Sequence, residues 1–152
     1  YNNLGLIFFR MDMPDSALYY YRQAYQLEPD SASAALNLAV LLNKKGNSEE
    51  AIGIVERLLE TDPDNFLAHY NLGNWLTSLH RYPETAAHYS KTLQINPEHA
   101  NAHLNLGLLY LKYLNRPRLA LEHLERTLIL EPEHPQALSI RQAVDYLKSR
   151  LN

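Results

Sequence analysis

Apolar and small residues recur along this chain at alternating intervals of four and three positions. Ala17, Tyr21 and Ala24 show this spacing, and Ala51, Val55 and Leu58 repeat it. Because an α-helix completes a turn in about 3.6 residues, such residues form a stripe along one helix face. The pattern predicts an all-α chain of amphipathic helices.

Four prolines divide this helical pattern at nearly constant intervals. Pro29, Pro63 and Pro97 are 34 residues apart, and Pro132 follows after 35. A period of 34 with helical patterning is typical of stacked helix–turn–helix repeats. We therefore predict a single domain in which four repeats are followed by a capping helix, with bounds 1–31, 32–65, 66–99, 100–134 and 135–152.

Alignment of the repeats on these prolines shows further recurrent positions. The first helix of each repeat carries a small residue, at Gly5, Ala39, Gly73 and Gly107. Glycine inside a helix costs about 1 kcal/mol relative to alanine, so its recurrence predicts close contact between helices. The second helices contribute two more columns: Tyr21, Val55, Tyr89 and Leu124, and Ala24, Leu58, Thr92 and Thr127.

Local signals mark where the second helices begin. Pro14, Pro83 and Pro117 fall at three of the expected starts, where the missing N–H of proline is tolerated. Asn47 with Glu50 predicts a capping box at the remaining start.

The recurrent small, aromatic and proline positions together resemble those of the tetratricopeptide repeat family over nearly the whole chain. The resemblance implies a right-handed α-solenoid of four stacked helix–turn–helix repeats with a C-terminal capping helix. It also implies that the first helices line a concave face that binds a protein or peptide partner. The fourth repeat departs by one extra residue around 112–115, which we expect in the turn between its helices.

One polar position recurs without exception on the implied concave face: Asn3, Asn37, Asn71 and Asn105. An amide offers both donors and an acceptor, so it can pair with the N–H and the C=O of an extended peptide. The column resembles the asparagine ladder of the repeat domain in O-linked N-acetylglucosamine transferases. The alternative is that each amide hydrogen-bonds within its own repeat.

The positions beside the asparagines are mostly apolar, and we expect them to form pockets for alternate side chains of an extended ligand. One residue before the asparagines lie Asn2, Leu36, Tyr70 and Leu104, and three residues after them lie Leu6, Val40, Asn74 and Leu108. Phe9 and Leu111 are further candidates. A basic column of Arg10, Lys44 and Lys112, interrupted by Ser78, either is solvated or favours an acidic segment.

Some members of the resembled family hold the C-terminal carboxylate of heat-shock chaperones with lysines and an arginine deep in the groove. The corresponding positions here carry neutral residues: Asn2, Leu67 and Asn71, or, one repeat later, Leu36, Asn101 and Asn105. The sequence therefore argues against a carboxylate-clamp co-chaperone.

The two ends of the predicted stack differ in character. The last helix carries polar residues where a following helix would pack, at Arg141, Gln142 and Asp145. It is predicted to be a solvated cap whose inward face includes Leu138. At the other end, Ile7 and Phe8 are expected to face a preceding helix. We expect further repeats upstream in the natural protein, or self-association through the N-terminal end.

Composition narrows the possible functions. The net charge of −3 and a pI near 6.2 argue against nucleic-acid binding, and no apolar run approaches the roughly 20 residues that cross a bilayer. The absence of cysteine excludes a disulfide framework and a zinc–thiolate site. His99 and His103 offer too few ligands for a metal centre, and no nucleophile elbow, zinc-protease motif or phosphate loop occurs. We predict no enzyme activity, no cofactor and no metal.

The leading hypothesis is a scaffold that binds an extended peptide in an asparagine-lined groove. Two alternatives stay open. The chain could be the substrate-recruiting arm of a larger enzyme such as a glycosyltransferase, which would use the same groove. It could instead be an assembly factor of a bacterial envelope or secretion complex, which would keep its partner after groove mutations.

Overall fold

The computed structural model describes residues 1–151, which form nine α-helices and contain no strand, so the predicted all-α class is confirmed. The helices are α1 (Asn2–Arg10), α2 (Pro14–Leu27), α3 (Ala32–Lys44), α4 (Ser48–Thr61), α5 (Phe66–Ser78), α6 (Tyr82–Ile95), α7 (Ala100–Lys112), α8 (Pro117–Leu130) and α9 (Ala137–Leu151). The chain divides into two compact units, Tyr1–Trp75 and Leu76–Asn152, hereafter unit 1 and unit 2. Within the described residues, no helix has the length and apolar character needed to cross a membrane.

In unit 1 the helices pack in the order of the sequence. Helix α1 packs against α2, α3 packs against α4, and α2 also contacts α3. The apolar stripes predicted from the sequence form the buried core, which includes Ala17, Tyr21, Ala24, Leu38, Leu41, Ala51, Val55 and Leu58. Burial of these side chains removes apolar surface from water, which is the main force that holds the helices together.

The predicted close contact at the small column is present between α1 and α2. A Cβ atom built on Gly5 would lie 2.4 Å from Cδ1 of Tyr21 and 2.6 Å from Cε1. Carbon atoms in contact are normally separated by about 3.5–4.0 Å, so only glycine allows the ring to lie this close to the α1 backbone.

A left-handed residue lies in each turn that joins a first helix to a second helix. These residues are Asp12, Gly46, His80 and Asn115, with φ values between 47° and 89°. The turn between α7 and α8 covers 113–116, one residue longer than the 45–47 turn between α3 and α4. The extra residue of the fourth repeat therefore lies in the turn, as predicted.

In unit 2, α6 contacts α7, α7 packs against α8, and α9 packs against α8. The core at the C-terminal end joins α7, α8 and α9 through Leu104, Ala120, Leu124, Ile140, Val144 and Leu147. Gly107 repeats the close approach seen in unit 1, since its added Cβ would lie 3.0 Å from Leu124 and 3.3 Å from the carbonyl oxygen of Ala120.

Two local predictions are wrong. Asn47 is the N-cap of α4, but its side chain makes no capping hydrogen bond. Its ψ of 56° departs from the extended backbone that a capping box requires, and Ser48 Oγ instead donates to Asn43 Oδ1 at 2.9 Å. Leu138, predicted to face inward, is 69% exposed. The buried face of α9 begins at Ala137 and continues through Ile140, so Leu138 lies about 100° around the helix from it.

Candidate functional site

Unit 1 contains a surface cavity of about 370 Å³ that is lined chiefly by first helices, and we call it the unit 1 cavity. Leu6 and Phe9 come from α1, and Leu67 and Asn71 come from the part of α5 that belongs to unit 1. Helix α3 contributes Ser33, Leu36, Asn37, Val40 and Leu41, and α2 contributes Tyr21. The volume lies in the range typical of pockets that bind small ligands or single side chains.

The walls of this cavity leave apolar surface in contact with solvent. Leu6, Phe9, Val40 and Leu67 are all exposed, although each belongs to a helix whose opposite face is buried. Exposed apolar side chains that converge on one concavity are a better indication of a binding site than the same residues scattered singly. The arrangement can bury an apolar side chain of a partner.

The side-chain amide of Asn37 has one N–H engaged in a hydrogen bond within unit 1. Its Nδ2 donates to Oδ1 of Asn2 at 2.9 Å, and Asn2 Nδ2 donates in turn to Ser33 Oγ at 3.3 Å. This contact fixes the orientation of the Asn37 amide. Within residues 1–151 the Asn37 Oδ1 atom accepts no hydrogen bond, so its acceptor faces the cavity or solvent.

The other two members of the asparagine ladder in unit 1 differ from Asn37 and from each other. Asn71 also lines the unit 1 cavity, and its side chain makes no hydrogen bond to another described residue. Asn3 does not line that cavity. It lies at a separate depression of about 180 Å³, beside Ala24 and Glu28. In unit 1, then, the structure brings two members of the predicted ladder together and leaves the third apart.

The basic residues predicted at the rim lie at the ends of α1 and α3. Lys44 Nζ lies 5.2 Å from the centroid of the Phe9 ring, a cation–π contact at the edge of the cavity. Arg10 lies close enough to Tyr21 for its charge to lower the phenol pKa, although burial is the larger effect and raises that pKa overall. Both cations are exposed.

In unit 2 the counterparts of these residues have other surroundings. Asn105 Nδ2 donates to Tyr89 Oη at 3.4 Å, which is a contact within the protein. Leu104 was predicted to line the groove, but it is 4% exposed and packs with Leu124 and Ile140, because α9 covers it. That prediction is wrong. The remaining predicted positions of unit 2 are half-buried at Leu108 and Leu111 and exposed at Lys112. Tyr70 and Asn74, which belong to unit 1, are half-buried and are not among the residues that line the unit 1 cavity.

The histidines of unit 2 form a pair. His103 Nδ1 and His123 Nδ1 are 2.9 Å apart, and His103 Nε2 donates to the Pro97 carbonyl oxygen at 3.1 Å. In a neutral His103 ring the Nδ1 atom is then the acceptor, so His123 donates. Burial lowers the pKa of both rings. Among the described residues no group of three or more potential ligands is placed to hold a metal ion.

Four cavity residues were not predicted from the sequence as ligand contacts. Tyr21 and Leu41 are buried core residues, whereas Ser33 and Leu67 are exposed. Ser33 and Leu67 occupy the same position of successive repeats, one residue after the helix start, and Asn101 occupies it in the fourth repeat. Because serine, leucine and asparagine share no chemistry, this repeat position gave no signal in the alignment. The available indication was that Ser33 lies one helical turn before Asn37, and Leu67 one turn before Asn71, on the same helix face.

Comparison with known proteins places this geometry in a family. Two family models, both described as tetratricopeptide repeat, match residues 8–73 and 64–128. No curated protein sequence matches the chain.

Three solved structures illustrate the similarity. MamA is 19% identical with a TM-score of 0.84, and the match covers 96% of this chain and 83% of MamA. PilF of Pseudomonas aeruginosa is 26% identical with a TM-score of 0.82, and the match covers 98% of this chain and 66% of PilF. YrrB, described as a TPR protein with an unusual peptide-binding site, is 22% identical with a TM-score of 0.77, with 91% of this chain and 71% of YrrB covered.

These similarities confirm the predicted solenoid fold class of helical repeats. With both family models matching, the chain belongs to the tetratricopeptide repeat family.

Proposed function

We propose that this chain is a protein–protein interaction scaffold that binds an extended segment of a partner, with an apolar side chain of that segment in the unit 1 cavity. Tetratricopeptide repeat proteins are generally interaction scaffolds and not catalysts, and YrrB is described as having a peptide-binding site. The proposal treats the chain as one domain of four repeats and a capping helix.

The observation that carries the proposal is the composition of the unit 1 cavity. Exposed Val40 and Leu67 provide apolar walls, while Asn37 and Asn71 provide amides within the same concavity. Apolar contacts supply affinity, and the amides pair with the backbone of a segment in extended conformation. Asn2 contributes by holding the Asn37 amide so that its oxygen can accept a ligand N–H.

The state of Asn37 combines the two interpretations of the asparagine column. One N–H of the amide is used inside the protein, although in a bond to the preceding repeat and not within its own repeat, and the acceptor is left for a ligand. Asn3 lies outside the cavity, so it serves as a control with the same repeat position.

The test is selection of binders from a random, unstructured peptide library, followed by affinity measurements on the selected peptides. The double variant Val40→Gln, Leu67→Gln makes the cavity polar, and Leu138→Gln makes the same kind of change at an exposed leucine of α9. We expect binding to be lost in the first and kept in the second. Peptides that bind both variants equally would place recognition elsewhere on the chain.

Single asparagine variants give a finer test of the same site. Leaving a ligand N–H unpaired costs about 1–3 kcal/mol, so Asn37→Ala and Asn71→Ala are each expected to weaken peptide binding about 5- to 150-fold. Asn3→Ala is expected to leave the affinity unchanged. Equal losses in all three variants would show that the amides act through the fold, and circular dichroism would then reveal reduced helicity.

A second surface of unit 1 supports a second proposal, self-association through the N-terminal end. Leu4 is 43% and Ile7 51% exposed, whereas the same repeat positions in α3, Leu38 and Leu41, are 2% and 1% exposed. Leu38 and Leu41 lie beside residues of α2, the helix that precedes α3. A second copy can supply an equivalent cover for α1.

Self-association predicts a concentration-dependent mass in sedimentation equilibrium. The variant Leu4→Gln, Ile7→Gln is expected to be monomeric at concentrations where the unmodified chain associates, with unchanged helicity. A mass that is the same for both proteins at every concentration contradicts self-association through this face.

A further inference from the structure

The strongest additional feature of the chain is the distribution of its acidic residues. The sequence contains 17 aspartates and glutamates, more than its 14 lysines and arginines. None of the 17 lies in α1, α3, α5 or α7, the first helices of the four repeats. The only lysines and arginines of these helices are Arg10, Lys44 and Lys112. The helices that form most of the unit 1 cavity are therefore free of negative side chains in a chain that is negative overall.

The two cations at the ends of α1 and α3, hereafter the rim charges, also lack carboxylate partners. They do not line the cavity, but Lys44 contacts its residue Phe9 and the charge of Arg10 acts on its residue Tyr21. Within residues 1–151 neither Arg10 nor Lys44 forms a salt bridge, and Lys44 contacts the ring of Phe9. The next residue, Lys45, differs, because its Nζ lies 2.5 Å from Asp15 Oδ1. Two consecutive lysines thus have opposite surroundings: one is paired within the protein, and the other lies unpaired against a residue that lines the cavity.

We propose that the unit 1 cavity selects an acidic segment, in which an aspartate or glutamate lies beside the apolar residue that enters the cavity and meets Arg10 and Lys44. This inference rests on the proposed function. The rim charges have no competing carboxylate in the first helices, so a ligand carboxylate does not have to displace an internal partner. Repulsion by acidic residues of the second helices is screened over about 8 Å at physiological ionic strength.

The carboxylate in this proposal belongs to a side chain within the segment, not to a chain terminus. In the carboxylate-clamp proteins of the resembled family, the cations that hold a terminal carboxylate occupy positions that correspond here to Asn2, Leu67 and Asn71, none of which is charged. Arg10 and Lys44 lie instead in the last turns of α1 and α3. A segment that continues in both directions can therefore reach them.

The experiment is the same library selection, scored by residue composition. With the unmodified chain, we expect aspartate and glutamate to be enriched beside the apolar position relative to the starting library. With Arg10→Gln, Lys44→Gln the enrichment should disappear, and a selected acidic peptide should bind at least 10-fold more weakly. The control Lys45→Gln should keep both the enrichment and the affinity, and the charge-conserving variant Lys44→Arg should keep most of the affinity.

The outcomes separate this inference from the proposed function. Peptides that depend on Val40 and Leu67 but show no acidic enrichment overturn the inference and leave the cavity as the binding site. Acidic enrichment that persists in Arg10→Gln, Lys44→Gln also overturns it, since other charges must then be responsible. A library that yields no peptide dependent on the cavity overturns the proposed function itself.

Discussion

The contact between Gly5 and Tyr21 provides a direct test of how the repeats pack. Gly5→Ala adds one methyl group on α1, 2.4 Å from Cδ1, 2.6 Å from Cε1 and 3.0 Å from Cγ of the ring. Contacts this short require a shift of about 1 Å or more to reach ordinary carbon–carbon separation. The ring is 3% exposed, so a shift of this size moves it either against its neighbours in the core or into the unit 1 cavity that it lines.

The magnitude follows from two opposing effects. Overpacking of a core typically costs about 1–3 kcal/mol, and the depth of this overlap favours the upper half of that range. Alanine in place of glycine stabilises a helix by about 1 kcal/mol. We therefore expect Gly5→Ala to lower the free energy of unfolding by about 1–2 kcal/mol.

Gly53 in α4 is the matched control. It is also a helical glycine of unit 1, but no atom lies within 4 Å of its added Cβ. Gly53→Ala should therefore stabilise the protein by about 1 kcal/mol. Because the helix-propensity term is the same in both variants, the difference between them, about 2–3 kcal/mol, measures the overlap with Tyr21 alone.

Urea unfolding followed by circular dichroism and by the fluorescence of Trp75, the only tryptophan, measures both variants. Trp75 belongs to the same unit as the two glycines. A Gly5→Ala protein as stable as Gly53→Ala would refute the packing argument. A further check is the Tyr21→Leu background, in which Gly5→Ala should no longer be destabilising because the ring is gone.

Two further predictions concern unit 2. Burial holds the pKa values of His99, His103 and His123 below the ordinary value of 6.5, so the unfolded chain takes up protons at a higher pH than the folded chain. Their contribution to stability is therefore complete above about pH 6.5 and is lost as the pH falls through the lower pKa values of the folded state. The urea midpoint should drop between about pH 7.5 and about pH 5.5. The double variant His103→Gln, His123→Gln should reduce that drop. Ile140→Ala removes buried volume where α9 covers Leu104, and should cost about 2–5 kcal/mol in thermal or urea unfolding; a loss below about 1 kcal/mol would mean that α9 is not held by this contact.

The fold was predictable because its signals repeat. A single Gly5 or Pro29 says little, but the same small, aromatic and proline residues at intervals of 34 restrict the chain to one kind of packing. One failure came where a residue lacked repeat neighbours. Leu138 belongs to a helix that occurs once, so a shift of one position along the helix could not be detected from a column.

The candidate site was only partly predictable, since its properties depend on what covers each position. Leu36 and Leu104 occupy the same column, but Leu36 lines the unit 1 cavity while α9 buries Leu104. Similarly, Asn37 and Asn3 are equivalent in sequence and lie at different depressions. The sequence predicts which face a residue occupies, whereas the neighbouring element decides whether that face is accessible.

Tyr21 connects the packing of the repeats with the candidate site. Its ring reaches the α1 backbone only because residue 5 is glycine, and the same ring lines the unit 1 cavity beside Leu41. A larger residue at position 5 would displace the ring, and the cavity is a space that a displaced ring can enter. Gly5 therefore affects both the packing of α1 on α2 and the position of a ring that lines the cavity. For this reason a change at Gly5, which does not line the cavity, is expected to alter ligand binding as well as stability.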